Sequence, residues 1–79
     1  MVEILGQSYT AVVGSDVDRD GMYLELSNSS KVVIAEVFHS DESGSMTFTG
    51  HQPDLPLPVV EWLIAQAKLR LVPGDGGGS

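Results

Sequence analysis

The chain has 79 residues, no cysteine, and eleven acidic against four basic side chains, for a formal charge of −7. A chain this short makes one domain with a small core; without thiols it has neither disulfides nor thiolate metal sites, which leaves oligomerisation as a common reinforcement. Its acidity repels phosphate backbones and anionic bilayers, and Arg19, Lys31, Lys68 and Arg70 form no basic patch, so neither nucleic acid nor membrane is an expected partner. Met1 to Gln7 lacks the basic and long apolar regions of a signal peptide, and no run approaches the roughly eighteen apolar residues of a membrane span; the expected location is the cytoplasm.

Val2 to Leu5 can form a short strand. In Ser8 to Val13, Tyr9, Ala11 and Val13 alternate with Ser8 and Thr10, the pattern of a half-buried strand. A polar turn spans Ser15 to Gly21. Met22, Leu24 and Leu26 then alternate with Tyr23, Glu25 and Ser27. Asn28 to Ser30 turn the chain into a central strand, Lys31 to His39. A second turn, Asp41 to Gly44, leads to a last strand in which Met46, Phe48 and Gly50 alternate with Thr47, Thr49 and His51.

After Gln52 the period changes. Val60, Leu63, Ile64, Ala67 and Leu71 fall on one helical stripe, with Asp54 ahead of it and Pro56 and Pro58 suited only to its first turn. Glu61 near its start and Lys68 and Arg70 near its end suit the helix dipole. Pro73-Gly74 stops the helix, and 74–79 read as a flexible Gly-rich tail. The expected fold is α+β: an antiparallel meander of three to four strands with one C-terminal helix across one face, in a single domain over 1–73. The register that buries most places Met22, Leu24, Leu26, Val33, Ala35, Val37, Met46 and Phe48 under the helix, with a bulge near one turn.

The central strand is apolar on both sides. With Val33, Ala35 and Val37 given to the helix, Val32, Ile34 and Phe38 are left on the opposite face, and contiguous apolar surface of that kind marks an interface. The helix adds a second strip at Trp62, Ala65 and Leu69, and tryptophan is enriched in interface cores. Val32, Ile34, Phe38, Trp62 and Leu69 are therefore the expected interface, with a homodimer as the leading assembly because two-fold dimers are the commonest. On the same outer face Glu36, with Thr49 across from it and Tyr23 and His51 nearby, would form the polar part of a small-ligand site.

Other motifs carry less. Asp16, Asp18 and Asp20 before Gly21 match the first half of a calcium-binding EF-hand loop, but Ser27 stands where the bidentate glutamate belongs and no helix precedes the loop. An Asp-Gly hairpin turn explains the run, so no metal is expected there. His39-Ser40-Asp41 has the residue types of a catalytic triad, yet neighbours on a strand point to opposite faces. His39 and His51 lie too far apart in register to share a metal within one chain. Phosphate-binding and dinucleotide-binding glycine motifs are missing, and no cofactor is expected.

Arg19-Asp20-Gly21-Met22 before Leu24-Glu25-Leu26, then Ala35 to Asp41, Met46 to Thr49, and Leu55-Pro56-Leu57 ahead of Glu61 and the helix to Leu71 form a combination. In these pieces, over residues 19–72, the chain resembles a group of short uncharacterised bacterial proteins with a strand-strand-strand-helix order. The resemblance implies the architecture and a bacterial source, and it implies no activity. The expected function is that of a small interaction module without catalysis. The alternatives are an acidic inhibitory protein of the immunity type, binding a basic partner, and a ligand-binding protein or enzyme built around Glu36 and His51.

Overall fold

The structure, a computed structural model, describes residues 1–71; Pro73-Gly74 and the expected tail at 74–79 lie outside the described residues. Five strands precede one helix: β1 Val2–Ile4, β2 Gln7–Asp16, β3 Gly21–Ser27, β4 Val33–Ser40, β5 Met46–Gly50 and α1 Leu57–Arg70. The strands pair antiparallel in the order β1-β2-β3-β4-β5, and α1 packs chiefly over β4. The α+β meander is as expected, but the sheet has five strands rather than three to four. The first hairpin accounts for the difference. Leu5 and Gly6 both take positive φ, 53° and 77°, which is the two-residue turn whose twist suits a hairpin. Gln7 to Tyr9 then pair back on β1, while Thr10 to Asp16 pair with β3. Pairing runs through Gly14, Ser15 and Asp16, residues whose polarity reads as turn, because backbone hydrogen bonds need no apolar side chains.

Register defines the two faces. Val13, Leu24, Val37 and Phe48 form one row on the helix side, and Ala11, Leu26, Ala35 and Gly50 form another. With the neighbouring row of Met22, His39 and Met46 they hold the expected core residues other than Val33, although Phe48 is left exposed. Leu24, Leu26, Ala35 and Val37 are buried, while Met22 and Met46 pack at the margin. Leu24 opposite Val37 already sets an even position against an odd one, so parity alone requires no bulge. A bulge nevertheless lies where β3 meets the turn: Leu26 faces Ala35 but Ser27 faces Val33, leaving Ile34 extra. A bulge reorients the side chains beside it. Ile34 is only 2% exposed and belongs to the core, whereas Val33, expected there, is only partly buried.

On the helix, Val59, Leu63, Ala67 and Leu71 are buried, with Val60 and Trp62 on the flanks. Leu63, Ala67 and Leu71 are buried as expected, but Val59 takes the place of Val60 and Ile64 is left exposed. Pro56 caps the helix and Pro58 sits in its first turn, where a missing N–H costs nothing. The first turn holds no acidic residue, Glu61 lying beyond it, while Lys68 and Arg70 occupy the last. No helix among the described residues is long and apolar enough to cross a membrane.

Candidate functional site

Between β2 and β3 the chain folds Asp16 onto its own turn. Asp16 Oδ1 accepts hydrogen bonds from the backbone N–H of Asp18 (3.1 Å) and Arg19 (3.2 Å), and its Oδ2 accepts from Arg19 Nε at 2.6 Å. Arg19 Nη2 donates to Glu36 Oε2 at 2.9 Å, and the guanidinium lies 4.0 Å from the centroid of the Phe38 ring. The hydrogen bond from Arg19 holds the Asp16 carboxyl below its ordinary value, and Asp16 and Glu36 together raise that of Arg19. Asp16 is thus occupied with a guanidinium and two backbone donors, and no group of three or more His, Cys, Asp or Glu among the described residues is placed to hold a metal. The Asp16, Asp18, Asp20 run is a hairpin turn.

The outer face carries Tyr23, Glu25, Glu36, Phe38, Thr47 and Thr49. Thr49 lies directly across from Glu36, as the expected register has it, and Glu25 lies directly across on the other side. The Phe38 ring folds over Gly21, and Tyr23 folds over Gly14, positions where no other residue leaves room. Arg19 covers Phe38 from above. His51 lies past the end of β5, exposed, with its backbone N–H donating to Ile34 O at 2.9 Å. Two depressions flank the sheet, and neither is lined by Glu36, Thr49 or His51. The outer face brings Tyr23, Glu36 and Thr49 together on a flat surface rather than in a cleft.

The expected interface residues do not share a surface. Val32 is 55% exposed in the β3–β4 turn, Ile34 is inside, Phe38 is half-buried on the outer face, and Trp62 and Leu69 lie on the helix, across the sheet from Phe38. Trp62 packs against the core and Leu69 is 76% exposed. Ile34 is thereby withdrawn from any interface, because the bulge turns it inward. His39-Ser40-Asp41 is no triad: His39 is on the helix side, and Ser40 Oγ accepts from Ser43 N–H in its own turn.

The open surface lies at β5. Ser40 N–H donates to Ser45 O and His51 N–H to Ile34 O, each at 2.9 Å, so the odd residues of this segment face β4. Antiparallel alternation then points the N–H and C=O of Met46, Phe48 and Gly50 away from the sheet. The strand has no charge and no proline, the usual guards of an edge. Beside it runs a groove of ≈ 240 Å³ between β5 and α1, lined by Val37, Met46, Thr47, Phe48, Ile64, Ala67 and Lys68. Phe48, expected in the core, is 42% exposed along it. The sequence does hold a signal for this edge: a terminal strand of the meander, Met-Thr-Phe-Thr-Gly, with no charge in it. Arg19 as the cover of Phe38 left no local signal. No family model, curated protein or solved structure matches the chain.

Proposed function

We propose that the chain is a small non-catalytic interaction module that pairs with a second copy of itself along β5. The carrying observation is the unguarded edge, with the outward backbone groups of Met46, Phe48 and Gly50 beside an apolar groove. Such an edge is a template for another strand. Its own copy fits it. In an antiparallel pairing centred on Phe48, Met46 of each chain meets Gly50 of the other, and the uncharged strip sets no like charges against each other. The helix flank beside the groove is self-complementary as well. Leu57, Glu61, Ile64 and Lys68 follow one another at helical spacing. Glu61 and Lys68 lie three residues before and four after Ile64, so a two-fold axis near Ile64 sets each glutamate toward the other copy's lysine.

Light scattering on a sizing column across a dilution series tests this. A dimer in the micromolar range is expected, and Phe48→Lys, which sets two ammonium groups on the axis, should return it to monomer while the fold persists. A monomer at every concentration, or a dimer indifferent to Phe48→Lys, refutes it.

A second reading rests on a different observation. Glu25 and Glu36 face each other across β3 and β4, and like charges directly opposite are unfavourable unless a cation sits over them. Arg19 supplies one for Glu36. A basic partner could supply another for Glu25, in the manner of an acidic inhibitory protein. Glu25→Gln should abolish salt-sensitive binding of an arginine-rich peptide if the outer face is used; equal binding by the variant counts against it.

A further inference from the structure

At one end of the sheet, Met22 on β3, His39 on β4 and Met46 on β5 form a single row on the helix side, each directly opposite the next. The two methionines therefore flank His39 from the neighbouring strands, whose backbones run about 4.8 Å away on each side. His39 is 7% exposed, and its Nδ1 is buried with no hydrogen-bond partner among the described residues. Asp41 Oδ1 approaches that nitrogen only to 3.9 Å, beyond hydrogen-bond distance. Buried polar atoms are ordinarily paired, and one that is not calls for an explanation.

We propose that this row is a binding site for a soft monovalent d10 ion, Cu(I) or its analogue Ag(I), with His39 Nδ1 and the sulfurs of Met22 and Met46 as ligands. Thioether and imidazole ligands without thiolate or coordinating carboxylate favour such an ion over calcium or magnesium. Three neutral donors also suit one positive charge better than two, since zinc sites in proteins are completed by a fourth ligand or a water and commonly use anionic thiolates or carboxylates. The unbranched methionine side chains have the rotational freedom to bring both sulfurs onto one ion. The Asp41 carboxylate, 3.9 Å from Nδ1, supplies the balancing negative charge from outside the ligand set. Access exists on both sides. Met46 lines the groove beside α1, and Met22 and Asp41 line a second depression of ≈ 180 Å³ at the β2–β3 turn. The ion binds as Cu(I) and no electron transfer is involved.

The test is anaerobic competition for Cu(I) between the full chain and the chromophoric chelator bicinchoninate, together with Ag(I) titration followed by methionine methyl NMR. One ion per chain is expected, with the methyl groups of Met22 and Met46 shifting and that of Met1 unmoved. The double variant Met22→Leu, Met46→Leu keeps the packing volume and should weaken binding at least 100-fold with little change in melting temperature. His39→Gln should weaken it at least tenfold. No competition at micromolar protein, equal affinity in the double variant, a shift confined to Met1, or Zn²⁺ binding as tight as Cu(I) would each overturn the assignment.

Discussion

Gly21 is the position where the structure makes its sharpest demand on the sequence. It opens β3, opposite Asp16 on one side and Ser40 on the other. A Cβ there would collide with the carbonyl oxygen of His39 and would come 2.5 and 2.8 Å from two atoms of the Phe38 ring. The carbonyl belongs to the paired backbone of β4 and cannot retreat without opening the β3–β4 ladder. The ring is pinned from above by Arg19, so moving it also breaks the Arg19–Glu36 ion pair. Where the backbone is compatible, Gly→Ala stabilises by about 0.4–1 kcal/mol through the unfolded state. Overpacking costs about 1–3 kcal/mol. For Gly21→Ala the clash wins, leaving a net loss of roughly 1–2 kcal/mol. At about 4–8 °C per kcal/mol for a domain of this size, melting followed by circular dichroism should drop by roughly 5–15 °C. Gly14→Ala is the control. There the collision is with the Tyr23 side chain alone, which can rotate toward solvent, so the drop should be smaller. A Gly21→Ala melting point at or above that of the parent, or a larger drop for Gly14→Ala, refutes the packing described for the outer face.

Ile34→Ala should cost about 2–5 kcal/mol, as for a buried isoleucine, and leave any dimerisation constant of the folded protein unchanged; a chemical-denaturation loss under 1 kcal/mol would return Ile34 to the surface. Leu5 holds φ 53° with its side chain exposed, a conformation that costs most residues about 1–2 kcal/mol and asparagine less. Leu5→Asn should therefore raise the urea midpoint, and a lower midpoint would count against the two-residue turn. The pH dependence follows from Asp16. Its folded pKa lies below the unfolded one, so its stabilisation is complete above the ordinary value near 3.8 and is lost as pH falls through and below that value. Denaturant midpoints of the parent and of Asp16→Asn should differ at pH 6 and converge towards pH 2; a constant gap across that range would mean that Arg19 does not hold the carboxylate.

Much of the fold is written in the period of the sequence, and the places where it is not have physical causes. Met22, Leu24 and Leu26 against Ala35 and Val37 are legible because an alternating strand has only two registers of faces. The helix stripe is less so. Leu63, Ala67 and Leu71 are legible, but Val59-Val60 and Leu63-Ile64 are adjacent apolar twins, so the pattern leaves open which side of Leu63 the stripe takes, and docking on β4 selects Val59 over Val60 and Ile64. The first hairpin is hidden because leucine argues against positive φ. Arg19 is hidden because its partner, Glu36, is seventeen residues away.

The doubly apolar central strand has a different resolution from the one its pattern suggests. Val32, Ile34 and Phe38 look like one face awaiting a partner only while β4 is taken as regular. The bulge puts Ile34 into the core, Val32 falls in the turn before β4 begins, and Phe38 is covered by Arg19 of its own chain. Each of the three is thus accounted for without a second molecule. The unmet need moves sideways. Among the described residues, none covers the backbone groups of Met46, Phe48 and Gly50 or the groove beneath Ile64. For a chain with so little core to spare, closing that edge would bury apolar side chains and complete a ladder in the same step, whereas covering the outer face would first have to displace Arg19 from Phe38 and Glu36. Partner binding at the edge therefore costs less than binding at the face, which is why Phe48→Lys, rather than a substitution at Phe38, is the variant that should decide the assembly.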